Sequence, residues 1–166
     1  FVASLHQPAP PHAPVNPFRG QPLVDLRPRV EANVELLGSQ IDVLRVLERF
    51  EQLASVDEWS GVPLWLHGDL HAANVVVHDG TISAVLDFGD LTSGDPAVDL
   101  AIGWMLFDDE TRSVFRTAAG GIDDATWSRA QVWALHFALL YVLHSADNER
   151  FARMGRSLLA ALDVAT

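Results

Sequence analysis

A chain of 166 residues, 49% of them apolar, is long enough for one domain with a substantial core. It carries no cysteine, which excludes disulfides and thiolate metal sites, and its formal net charge of −11 disfavours nucleic acid or an anionic membrane as a partner. The apolar runs fall far short of the ~20 residues of a membrane span, and no basic region followed by an apolar core opens the chain, so a cytoplasmic setting is expected.

In chain order, Phe1 to His6 reads as the tail of a helix. Residues 7–22 hold six prolines in sixteen positions, which predicts an extended linker. A helix is expected from about Pro28 to about Ser55. Val30, Val34, Leu37, Ile41, Leu44 and Leu47 form its apolar stripe, and Gly38 is its weak point. Pro63 to Phe88 is β-like, with Asp79-Gly80 as a hairpin turn between two apolar runs. A two-residue loop would make facing residues sum to 159. One face would then carry Val75, Val77, Ile82, Ala84, Leu86 and Phe88, and the other Asn74, Val76, His78, Thr81, Ser83, Val85 and Asp87.

The rest is helical. Asp95 is placed at an N-cap with Pro96 at the first helical position. A short helix over Asp109 to Ala119 ends at Gly120-Gly121. Asp123 to Ala146 is apolar on much of its surface and predicts a central buried helix carrying His136 and His144 at core or rim positions. Asp147 to Ala165 is a last amphipathic helix. The five tryptophans are read as packing residues. The fold class is therefore α+β, mostly helical, with a small β-hairpin.

The hairpin register carries the chemistry. It sets Asn74 opposite Val85, with Asp87 two residues on, so the two side chains become diagonal neighbours with Cβ atoms roughly 7–8 Å apart. A side-chain carbonyl oxygen and a carboxylate at that separation suit one hard cation such as Mg²⁺, which takes few protein ligands and leaves room for substrate phosphates. Asp69, in the loop before the strand, can reach the same spot, and a carboxylate there can accept the proton of an attacking hydroxyl.

The segment His67-Gly68-Asp69-Leu70-His71-Ala72-Ala73-Asn74 has the spacing H-x-D-x-x-x-x-N of the protein-kinase catalytic loop, and Asp87-Phe88-Gly89 follows after the hairpin as the kinase metal-binding DFG does. Together with "LDFGDLTSGDPAVDLA", the pattern resembles the aminoglycoside phosphotransferase family, which shares the kinase-like fold. The resemblance implies the C-terminal catalytic lobe of that fold, with Asp69 as catalytic base and Asn74 and Asp87 as Mg²⁺ ligands. It implies His67 as the loop's structural histidine, Asp95 and Asp99 as helix-start carboxylates that brace the site, and Gly68, His71, Phe88 and Gly89 as shape-setting members of the motifs.

The family's N-terminal lobe carries a phosphate-covering loop and a strand lysine that contacts ATP. This chain has no lysine and no Gly-rich phosphate loop. It is therefore expected to be the C-terminal lobe alone, with residues 1–27 as the end of the inter-lobe segment and 28–166 as the lobe. The implied activity moves the γ-phosphate of ATP to a hydroxyl of a small molecule, with Mg²⁺. Net acidity favours a cationic acceptor, the missing lobe is the expected partner, and the isolated chain is expected to be inactive. Two other readings remain open: a binding-only or inactive module with this fold, and a zinc hydrolase built on His67, Asp69, His71 and Asp87.

Overall fold

The computed structural model describes residues 1–164; Ala165, assigned from the sequence to the last helix, lies outside the described residues. Eight helices and four short strands follow one another: α1 (Val2–Leu5), α2 (Leu23–Leu37), α3 (Val43–Ala54), β1 (Leu64–Leu66), β2 (Val75–His78), β3 (Thr81–Val85), β4 (Thr92–Gly94), α4 (Ala97–Leu100), α5 (Ile102–Leu106), α6 (Asp109–Ala118), α7 (Asp124–Leu143) and α8 (Glu149–Ala161). Helix α7 is the hub. Helices α2, α3, α4 and α8 all pack on it, and Val132, Trp133, Ala134, Leu135, Ala138 and Leu139 are fully enclosed. A helix apolar all round is stable only when neighbours cover every side. No helix among the described residues is long and apolar enough to cross a membrane.

The expected helix over 28–55 is two helices. Gly38 adopts φ +50, the left-handed conformation that ends α2, and Asp42 caps α3 by accepting a hydrogen bond from the Arg45 N–H at 3.1 Å. The apolar stripe resets across this break, so Leu44 is exposed while Val46, Phe50 and Leu53 face the core. Helix α2 also begins at Leu23, five residues before Pro28. The Glu58 carboxylate accepts from the Leu23 and Val24 N–H groups, supplying from a distant loop the cap that the local sequence lacks. Pro28 is tolerated because the carbonyl it leaves unpaired, that of Val24, belongs to an exposed residue.

The proline-rich segment is not a free spacer. The Ala9 N–H donates to the Pro63 carbonyl, the Trp65 N–H to Gln7, the Ser93 N–H to Pro14 and the Asp95 N–H to Gly20. The segment thus lies along the antiparallel β1–β4 ladder, in which Leu64 faces Gly94 and Leu66 faces Thr92.

The hairpin departs from the expected register. His78 faces Thr81 and Val77 faces Ile82, as a two-residue turn requires, but Val76 then faces Ala84 and Val75 faces Val85. One residue is bulged between them. The proposed apolar face is therefore not the buried one. Val75 and Val85 lie on the core together, whereas Val77, Ile82, Leu86 and Phe88 are exposed.

Candidate functional site

The loop after β1 is built around one buried carboxylate. Asp99, in α4, is fully enclosed and accepts from the His67 N–H at 2.8 Å, the Gly68 N–H at 2.9 Å and the His6 Nε2–H at 3.1 Å. Three donors satisfy a charge that burial would otherwise penalise heavily. Gly68 sits at φ +82, and a Cβ there would lie 2.3 Å from the Asp90 carbonyl oxygen. Both the dihedral and the close approach demand glycine. Gly68→Ala is expected to destabilise by about 2 kcal/mol or more. In a thermal melt that is a Tm lower by roughly 4–8 °C.

His67 ties this loop to the end of the hairpin. Its Nδ1 accepts from the Asp69 N–H at 3.3 Å and its Nε2–H donates to the Leu86 carbonyl at 2.9 Å, while Phe88 packs on the ring at 4.6 Å between centroids. Both ring nitrogens are occupied, so His67 is a brace. His71 is likewise committed. Its Nδ1 accepts from the Ala73 N–H at 3.1 Å, which leaves the proton on Nε2, 3.5 Å from Asp69 Oδ2. The edges of Tyr141 and Phe151 hold the imidazole in place. Two histidines already spent on the protein cannot both serve a zinc ion. Among the described residues no cluster of three or more histidines and carboxylates is disposed to hold a metal, so the hydrolase reading loses its ligands.

Asp69 is half-buried. His71 holds its carboxyl below the ordinary carboxylate range, with help from Arg19 and His67 and against the opposing effect of burial. Asn74 is buried. Its Nδ2 donates to the Asp69 carbonyl at 3.0 Å and its own carbonyl accepts from the Leu86 N–H at 2.8 Å. No donor among the described residues reaches its Oδ1. The bulge therefore puts Leu86, not Val85, opposite Asn74, and Asp87 comes one residue later. Asp87 takes φ +60, a left-handed conformation that aspartate tolerates better than most residues, and it breaks the strand's side-to-side alternation. It is exposed, and among the described residues its only side-chain hydrogen bond is a long one from the Gly89 N–H at 3.4 Å. Hydrogen bonds therefore join the loop of Asp69 and Asn74 to the end of the hairpin beside Asp87: Asn74 Nδ2 to the Asp69 carbonyl, and the Leu86 N–H to the Asn74 carbonyl.

Asp95 acts at a distance. Its Oδ1 accepts from the Ala97 N–H at 3.0 Å, and its Oδ2 from Arg129 Nε at 2.7 Å in a pair that is almost wholly buried. Burial pushes its carboxyl above the ordinary range, against the pull of Arg129. Asp90 accepts from Asn16 Nδ2 at 3.0 Å.

Three contributors escape a reading of the sequence: His6 on Asp99, Arg129 on Asp95, and Arg19. The Arg19 guanidinium lies 3.5 Å from Asp69 and 3.7 Å from Asp90, stacked over Phe137. An arginine between Pro17 and Gly20 has no periodicity to mark it; only the clamping of its segment along β1–β4 brings it to the site. His136 is enclosed in α7, whereas His144 at the helix end is exposed.

The model of the phosphotransferase enzyme family (APH) matches residues 1–133 of the chain. No curated protein matches it. Among solved structures, a macrolide 2'-phosphotransferase type I superposes with a TM-score of 0.58 at 20% identity, covering 99% of this chain and 56% of that one. The macrolide 2'-phosphotransferase MphH of Brachybacterium faecium gives 0.51 at 22% identity over 95% and 57%. A thermostable mutant of aminoglycoside phosphotransferase APH(4)-Ia, in ternary complex with ADP and hygromycin B, gives 0.50 at 19% over 78% and 46%. The chain thus spans about half the length of the structures it matches, and at these identities the likeness is one of fold. With four-fifths of its residues inside the family model, the chain belongs to the APH phosphotransferase enzyme family.

Proposed function

We propose that this chain is the catalytic lobe of an ATP-dependent phosphotransferase that moves the γ-phosphate to a hydroxyl of a small molecule. The observation that supports the reading most is the family-model match over residues 1–133, in a chain where hydrogen bonds tie Asn74 to the Asp69 carbonyl and to the Leu86 N–H next to Asp87. Asp69 orients the acceptor hydroxyl and takes its proton. Because its pKa is low, it is a weak base; its work is chiefly to position the oxygen, with the proton moving late, as suits a loose phosphoryl-transfer transition state. Asn74 and Asp87 fit Mg²⁺, which when bound neutralises charge on the β- and γ-phosphates. Asp99, through the His67 and Gly68 N–H groups, fixes the backbone that presents Asp69, and His67 keeps that loop in register with Asp87.

Residues 1–27 would carry the chain from an inter-lobe segment into the lobe formed by 28–166. The exposed apolar patch of Val77, Ile82, Leu86 and Phe88 supports a nucleotide-binding lobe seated over the hairpin. ADP bound in the APH(4)-Ia neighbour supports nucleotide use. The test compares ATP turnover by the 166-residue chain alone with turnover by a chain that also carries such a lobe. Transfer is expected only from the longer chain; transfer by the 166 residues alone would refute the two-lobed reading.

Ionised Asp69 is the working form, and His71 stabilises it. Activity should therefore persist on the acid side to below the ordinary carboxylate range. His71→Leu raises the Asp69 pKa and should move the acid limb of kcat/KM to higher pH, which a pH–rate profile reads directly. An unmoved limb would remove His71 from this role.

A further inference from the structure

Asp99 takes its third hydrogen bond from a residue that the proposed reaction leaves without a role. His6 closes α1, and its Nε2–H donates to Asp99 Oδ2 at 3.1 Å across 93 residues of chain. The His67 N–H shares that oxygen at 2.8 Å, while the Gly68 N–H takes Oδ1 at 2.9 Å. The Asp99 side chain is fully enclosed, and the His6 ring keeps only 6% of its surface exposed. Among the described residues His6 is the only side chain that donates to Asp99, since Arg129 is spent on Asp95.

Holding the N-terminal segment in place does not need this bond. The Trp65 N–H donates to the Gln7 carbonyl at 2.9 Å, the Ala9 N–H donates to the Pro63 carbonyl at 2.9 Å, and Val2 is buried in the core. What the bond adds is control of the carboxylate. Hydrogen bonds to a charged acceptor are the strong ones, and more so out of water. His6 draws on Oδ2 from the α1 side, so it sets the rotation of the carboxylate and with it the two backbone N–H groups that donate there. Those groups belong to the two residues immediately before Asp69. Gly68 is packed so closely on the Asp90 carbonyl that the loop has little room to absorb a shift.

We propose that His6 is a positioning residue for the candidate base: acting through Asp99, it fixes the direction in which the loop presents Asp69, and it makes that direction depend on where α1 sits. The role of Asp69 as base rests on the phosphotransferase reading; the coupling of His6 to the loop does not. The ring can also be replaced from outside. His6 forms part of the wall of a cavity of about 260 Å³, beside Trp59, Ile122 and Thr126, which is large enough to admit an imidazole molecule.

The test reads the complete protein in two ways: by steady-state phosphoryl transfer, and by hydrogen exchange at the His67 and Gly68 amides after ¹⁵N labelling of histidine and glycine. His6→Leu keeps an apolar body and removes the donor. It is expected to lower kcat about tenfold with the KM for ATP unchanged, and to speed exchange at both amides about tenfold. His6→Gln, whose amide nitrogen can reach the place of Nε2, should recover most of both. Added imidazole should do the same for His6→Ala. A lower Tm with wild-type kcat and wild-type exchange would make His6 structural and overturn the proposal. A rise in the KM for ATP without a fall in kcat would overturn it too, as would failure of both His6→Gln and imidazole to restore the amides. Should His6→Leu not fold, His6→Ala with and without imidazole decides the same two readouts. The two readings fail separately. Absence of transfer by the wild type ends the phosphotransferase reading, while the amides still test the coupling. Transfer by the wild type with both readouts unmoved in His6→Leu defeats the coupling and spares the phosphotransferase.

Discussion

Asp69→Ala in the complete protein is expected to lower kcat by about 10²–10⁴-fold, the usual contribution of a positioned general base. The substitution should not unfold the protein. Asp69 is half-buried, its contact to His71 is long at 3.5 Å, and its contact to Arg19 is equally long. Such partly exposed pairs contribute little to stability. The expected signature is a collapse in steady-state kcat with a nearly unchanged melting curve. Turnover close to wild type would show that Asp69 does not serve the acceptor hydroxyl, and a large loss of Tm would recast it as a structural residue. Asn74→Ala has a different signature, because Nδ2 also fastens the Asp69 carbonyl. It should weaken metal dependence and loosen the loop together.

Arg129→Ala should have the largest effect on stability of any surface-distant polar change, about 3–5 kcal/mol, because it strands Asp95 as an uncompensated buried charge. Arg129 also donates to the Asp57 carbonyl at 2.7 Å and to Thr126 Oγ1 at 2.8 Å, so the loss opens three contacts at once. Denaturant unfolding of Arg129→Met, of Asp95→Leu and of the variant carrying both, beside the wild type, forms a double-mutant cycle. The double variant should be clearly more stable than the sum of the singles, since it removes both charges. It should still fall short of the wild type, because Asp95 also caps the Ala97 N–H. Strict additivity would mean that the pair is not coupled.

The sequence made legible those features that have a period or a fixed spacing. Helix α7 declares itself by apolar residues on every side, the hairpin by Asp79-Gly80, and the family by the intervals from His67 to Asp69 to Asn74 and on to Asp87-Phe88-Gly89. What was not legible depends on single residues or on distant partners. The bulge between Val76 and Val77 moves one residue against a ladder of apolar side chains that read equally well in either register. That one slip decides whether Leu86 or Val85 faces Asn74. Strands β1 and β4, three residues each, are too short to show alternation. The early start of α2 depends on Glu58, thirty-five residues away from Leu23 in sequence. Arg19 and His6 lie in segments whose composition says only linker and helix tail, yet they touch Asp69 and Asp99. Motif spacing thus pointed to the family, while the contacts of Arg19 and His6 became visible only through tertiary structure.

Incubation of the complete protein with Mg²⁺ and ATP labelled at the γ-phosphate, with a panel of hydroxylated small molecules, decides where the phosphoryl group goes. The expected product is an organic phosphate ester that carries the label, formed by the wild type and lost in both Asp69→Asn and Asp87→Asn. Label appearing only as inorganic phosphate, or ester formation that survives both substitutions, would contradict a phosphotransferase centred on this hairpin.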